Sequence, residues 1–178
     1  MATHVGLIRG INVGKAKRVS MAELAKAIEA LGYSNVRTLL NSGNVVFTAP
    51  GVKAGDAASR LEQVLLERLG VSAKVMVLTA RDLDAIVAAN PFADVADNPS
   101  RYLVGVLASK ASTKLVEPLL ARKWAPEALA TGPGAVYLWC PNMVTGSPLM
   151  EAIGKVLKDG VTTRNWATMT KLLALTRT

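Results

Sequence analysis

The sequence predicts an α+β protein of two related lobes, and three observations predict it. Short apolar runs alternate with amphipathic helical patterns in the order strand, helix, strand, strand, helix, strand over the first half. Part of that order recurs after residue 101. The punctuation between runs is short and built on Gly, Asn and Pro, with no low-complexity linker.

The first strand is expected from Val5 to Arg9. Ser20 and Glu23 form a capping box that opens a helix, whose apolar positions Met21, Leu24, Ala25, Ile28 and Leu31 keep helical spacing up to Gly32. Val36 to Leu40 and Val45 to Thr48 read as strands around an Asn41-Ser42-Gly43-Asn44 turn. A helix from Asp56 to Leu69 stops at Gly70, and Ala73 to Leu78 gives the fourth strand. This order is that of a ferredoxin-like unit.

A helix from Thr79 to Ala89, ended by Asn90-Pro91, bridges to the second half. There the strand Tyr102 to Ala108 precedes a helix from Ser112 to Lys123. A short strand near Ala128 to Ala130 and the strand Val136 to Cys140 flank Thr131-Gly132-Pro133-Gly134. A helix from Pro148 to Lys158 follows. Where a closing strand belongs, the chain reads Thr162-Thr163-Arg164-Asn165-Trp166 and then a short helix to Leu175. The expectation is therefore two ferredoxin-like subdomains, the second altered at its C-terminal end. The parts are residues 1–78, a bridge over 79–101, and residues 102–178, packed as one compact unit.

Composition narrows the function. With 178 residues, 51% of them hydrophobic and 19% charged, the chain is long enough to bury a core without staples. One Cys and one His argue against a disulfide framework and a Cys/His zinc site, so no metal and no cofactor are expected. No apolar run approaches the roughly 20 residues of a membrane span, and the N-terminus lacks a signal-peptide pattern, so a cytoplasmic location is expected. The net charge of +8 invites a nucleic-acid or anionic partner, although the two halves carry equal shares of it. Arg9, Lys15, Lys17 and Arg18 form a run uninterrupted by any acid.

Two polar knots stand out. The first is Arg9-Gly10-Ile11-Asn12-Val13-Gly14-Lys15, directly after a strand; the second is Asn41 to Asn44. Arginine offers a planar fork of donors for carboxylate or phosphate, asparagine a donor and an acceptor, and glycine close backbone approach. Gly10 to Lys15 is one residue too short for a Walker loop and has no hydroxyl after the lysine. In the expected topology both knots emerge at one edge of the sheet, with Arg9 beside Asn44. The helix after Val136 to Cys140 is expected to end at the equivalent edge of the second lobe, which places Arg164-Asn165 to look toward the same cleft if the lobes pack suitably. Turn-making is the competing role for Asn12, Asn41 and Asn44. Ser42 lacks a histidine or acid partner, so Lys15 would have to act as its base. His4 is expected to be idle at a mobile terminus, and Trp124 and Trp139 to be packing anchors.

The segments Leu7 to Gly14, Met21 to Leu24, Ser42 to Phe47, Asn90 to Phe92 and Thr163 to Trp166 resemble the bacterial DUF1697 family. The resemblance implies a cytoplasmic protein of two ferredoxin-like subdomains and supplies no established activity. It marks Arg9, Gly10, Asn12, Gly14, Ser42, Gly43, Asn44, Arg164, Asn165 and Trp166 as signature positions. Asn41 stands where members often have glutamine, and Gly146-Ser147-Pro148-Leu149 lacks the lysine they tend to carry there. Three functions fit these observations: binding of an anionic small molecule or nucleic-acid segment at the basic edge, an enzyme clamping a phosphorylated or carboxylated metabolite with arginines, and a protein–protein adaptor.

Overall fold

The computed structural model describes residues 2–14 and 18–178. Among the described residues it is mixed α+β, with two four-stranded antiparallel sheets and six α-helices. One compact unit comprises residues 1–83 with 172–178, and the other comprises residues 84–171.

In the first unit the elements are β1 (Thr3–Ile8), α1 (Met21–Glu29), β2 (Ser34–Leu39), β3 (Asn44–Thr48), α2 (Ala54–Leu69) and β4 (Val75–Thr79). The sheet order is β2-β3-β1-β4, with every neighbouring pair antiparallel. The capping box at Ser20 forms: Glu23 N–H donates to Ser20 Oγ at 3.1 Å, and Ser20 N–H to Glu23 Oε2 at 3.3 Å. Gly70 ends α2 in the left-handed region at φ 65°. The core gathers Ile8, Val45, Phe47 and Val75 from the sheet against Leu24 and Ile28 of α1 and Leu61 and Leu65 of α2. His4 is not at a mobile terminus as expected. It is buried within β1, and its ring stacks on Phe47, which stacks in turn on Tyr33. Backbone pairing of the neighbouring strands fixes it there.

The second unit follows α3 (Ala80–Ala88), which starts in the first. It contains β5 (Tyr102–Leu107), α4 (Ala111–Leu120), β6 (Ala128–Gly132), β7 (Ala135–Trp139), α5 (Pro148–Leu157) and β8 (Val161–Asn165). Its sheet order, β6-β7-β5-β8, repeats the first. Gly6 and Gly105 hold matching positions in β1 and β5. A Cβ on Gly6 would lie 2.9 Å from Val45, and one on Gly105 would lie 2.8 Å from both Val136 and Val161. The same crowding at the same place in each central strand marks an internal repeat.

The expected alteration at the end of the second lobe is corrected by β8. Val161 to Asn165 pairs antiparallel with β5, from Leu107↔Val161 to Leu103↔Asn165. Thr162 and Thr163 are β-branched and suit a strand although they are polar, and Val161 and Thr162 are buried. The helix α6 (Trp166–Thr176) begins directly after the strand. No helix among the described residues is long and apolar enough to cross a membrane.

Candidate functional site

The two knots of the first unit meet through Asn12. This residue sits at φ 55°, in the left-handed region that asparagine tolerates. Its Oδ1 accepts from Val19 N–H at 2.7 Å, and its Nδ2 donates to the Val19 carbonyl at 2.8 Å. The same Nδ2 donates to the Asn41 carbonyl at 2.8 Å. One side chain thus closes the loop 12–19 on itself and ties it to the β2–β3 turn. Arg18 adds a bond from Nη1 to the Asn12 carbonyl. Buried Ile11 and Val19 pin the loop to the core from below.

The loop itself alternates in backbone hand. Gly10, Asn12 and Gly14 have φ of 74°, 55° and 52°, while Ile11 and Val13 do not have positive φ. Alternation of right- and left-handed residues is the backbone pattern that, in nests, turns successive N–H groups toward one side. Gly10, Val13, Gly14 and Arg18 are exposed, and Arg9 is half-buried, with its N–H donating to the Lys74 carbonyl at 2.9 Å. Lys15 lies outside the described residues.

The β2–β3 turn is built from within. Asn44 is fully buried, and its Nδ2 donates to the Leu39 carbonyl at 2.9 Å and to Ser42 Oγ at 3.0 Å. Gly43 is buried at φ 91°, its carbonyl accepting from Ile8 N–H at 2.8 Å. A Cβ there would meet Ile11 at 2.9 Å and Ile8 at 3.0 Å. The end of β1 therefore does lie beside the start of β3, with Leu7 opposite Asn44. Of this knot, Asn41 and Ser42 face solvent, whereas Gly43 and Asn44 hold the turn together. Leu40, in the left-handed region at φ 61°, is exposed as well.

In the second unit, Arg164, Asn165 and Trp166 have distinct roles. Arg164 is a half-buried residue of β8 opposite Val104, with Nη1 donating to the Thr163 carbonyl at 2.9 Å. Desolvation lowers its pKa to about 10, so the guanidinium stays charged at neutral pH. Asn165 Oδ1 accepts from Thr168 N–H at 2.9 Å and caps the N-terminus of α6. Trp166 stacks on Tyr102 at 4.9 Å between ring centroids.

Sequence reasoning missed Tyr102. Its hydroxyl donates to Asn90 Oδ1 at 2.6 Å, and that oxygen also accepts from Phe92 N–H at 3.1 Å. Phe92 packs edge-on against the same ring. Burial, then the neighbouring Tyr137, raise the Tyr102 pKa well above the ordinary tyrosine value. Asn90, Phe92 and Trp166 thus converge on one aromatic side chain. The available signal was an aromatic opening a strand shortly after an Asn-Pro-Phe break.

Comparison with known proteins bears on the fold and the family. The chain is similar to the solved structure of the conserved bacterial protein SP0830 from Streptococcus pneumoniae, with a TM-score of 0.79 and 22% identity over 98% of each chain. At that identity the likeness shows the fold alone. No curated protein matches the sequence. The family profile described as Protein of unknown function (DUF1697) matches residues 1–137, which include both first-unit knots and Asn90 to Phe92. The match stops short of Thr163 to Trp166. With most of its length covered, the chain belongs to the DUF1697 family of proteins of unknown function.

Proposed function

We propose that the loop of residues 9–18 binds an anionic ligand, a phosphate-bearing small molecule or nucleic-acid segment, with exposed Ser42 of the adjoining turn at its margin. The observation that carries the reading is the loop's alternating backbone at Gly10, Asn12 and Gly14, clamped by Asn12 and carrying exposed Arg18. Arg9, Lys15 and Lys17 add charge of the same sign in the same stretch. In this reading Gly10, Gly14, Arg9, Lys15, Arg18 and Ser42 touch the ligand, while Asn12, Gly43 and Asn44 form the frame. Arg164, Asn165 and Trp166 organise the second unit and are not used. A ferredoxin-like assignment of each unit is part of the proposal, supported by the shared strand orders. So is a cytoplasmic location, supported by a lone, buried, unpaired Cys140.

The test is fluorescence anisotropy with a labelled single-stranded oligonucleotide, followed by competition with pyrophosphate. Binding should weaken steeply as salt rises, because loop cations displace phosphate counterions. Arg18→Ala should weaken it about tenfold, the loss of one charged hydrogen bond. Competition by pyrophosphate alone points to a small phosphate ligand, and competition only by oligonucleotides points to nucleic acid. Absence of binding of either probe at low salt would overturn the proposal.

A further inference from the structure

The second unit carries a groove of about 470 Å³ that lies outside both knots. Small-molecule sites span about 300–1,000 Å³. Residues 122–127, after α4, form one wall, and Asn142, Met143 and the approach to α5 form the other.

The charges in this groove are not equally committed. Glu127 already has its partners: it accepts from the Ser147 hydroxyl and from Leu149 N–H at 3.2 Å. Met150 N–H is taken by Ser147 Oγ at 3.1 Å, and Pro148 has no N–H to give. The first turn of α5 is therefore satisfied from within, and its dipole offsets the carboxylate. Arg122 and Lys123 are different: both are exposed, and neither forms an ion pair among the described residues.

Arg122 is also held in place. Its guanidinium lies over the Trp124 ring, 4.4 Å from the centroid, and Trp124 Nε1 donates to the Leu119 carbonyl at 2.8 Å. Stacking uses the guanidinium face and leaves the donors at its edge for an anion. Next to these cations the mixed lining of the groove carries the apolar side chains of Trp124, Pro126 and Met143, with Met143 59% exposed. An exposed methionine beside a fixed indole and two uncommitted cations matches a ligand with a charged end and an apolar body.

We infer that this groove binds a small organic anion, a carboxylate or phosphate monoester on an aromatic or similarly flat apolar body. Arg122 takes the anionic group through its fork, Lys123 adds attraction, and Trp124 and Met143 cover the body. The inference does not depend on the proposed role of the loop 9–18.

Phenyl phosphate is a suitable probe, with inorganic phosphate and phenol as its two halves. Titration followed by the Trp124 indole N–H and the Gly146 amide in 15N-resolved NMR should show saturable shifts. Phenyl phosphate should bind at least tenfold more tightly than either half. Arg122→Ala should abolish that advantage, Arg122→Lys should retain part of it, and Lys114→Ala, on the exposed face of α4, should leave it unchanged. Lys123→Ala should weaken binding to a smaller degree and serves as the second variant if Arg122→Ala fails to fold. Equal binding of phenol would overturn the ionic anchor, and equal binding of inorganic phosphate would overturn the apolar contact. Absence of saturable shifts, or unchanged affinity in both Arg122 variants, would overturn the site.

Discussion

Replacing Asn12 by alanine removes the clamp on which the candidate site rests, and the cost can be worked from its partners. The two half-buried bonds to the Val19 amide and carbonyl are worth about 1 kcal/mol each. The exposed bond to the Asn41 carbonyl adds little, because water takes its place. Alanine at φ 55° costs about 1 kcal/mol more than asparagine. Asn12→Ala should therefore lose about 3 kcal/mol, and Asn12→Gly, which removes the bonds and keeps the backbone relaxed, about 2 kcal/mol. Urea unfolding of the first unit measures the totals, and hydrogen exchange at the Val19 amide reports the local opening directly. A loss under about 0.5 kcal/mol with Val19 still protected would refute the clamp.

Gly43→Ala and Gly10→Ala both place a side chain at positive φ, but only at Gly43 would the new Cβ meet packed atoms, at 2.9 Å and 3.0 Å. Thermal unfolding should show a loss above about 2 kcal/mol for Gly43→Ala and about 1 kcal/mol for Gly10→Ala; equal losses would contradict the packing account. The Tyr137 hydroxyl donates to the Ile86 carbonyl at 2.5 Å within the second unit. Tyr137→Phe strands that buried carbonyl and should cost about 1–3 kcal/mol by urea unfolding. Burial pushes the Cys140 thiol up to about 11 from about 9, so the folded state favours the protonated form. The stability this gives is full below the lower value and is lost as pH rises through the higher one. Thiol reagents near about pH 8 should accordingly react only as fast as the second unit opens, and burst labelling would contradict the burial.

Local chemistry was legible in the sequence wherever one segment satisfied itself. The Ser20–Glu23 box, the stop at Gly70 and the 39–44 turn all form close to where their residues place them. The β8 strand was not legible, because Thr-Thr-Arg-Asn has no apolar run. It becomes a strand only through its ladder to β5, more than 50 residues away in sequence. The meeting of the Arg9–Gly14 and Asn41–Asn44 knots followed from strand order, and Asn12 makes it physical. What the residue types could not reveal was the division of labour among the asparagines. Asn44 is buried in the turn, Asn165 caps a helix, and Asn12 bridges loop and hairpin, all with the same amide. For Tyr102 the sequence offered only its place after the Asn-Pro-Phe break, because its partners Asn90, Phe92 and Trp166 come together only in the folded unit.

The amide resonances of Gly10 to Gly14, followed by NMR as pyrophosphate is added at low salt, test the central claim most directly. An anion bound by the alternating backbone should shift those N–H groups together, saturably, and the shifts should weaken in Arg18→Ala. Asn12→Gly should weaken them further, because the frame that aims the donors is then lost. Shifts confined to surface lysines elsewhere, with Gly10 to Gly14 unmoved, would contradict the account.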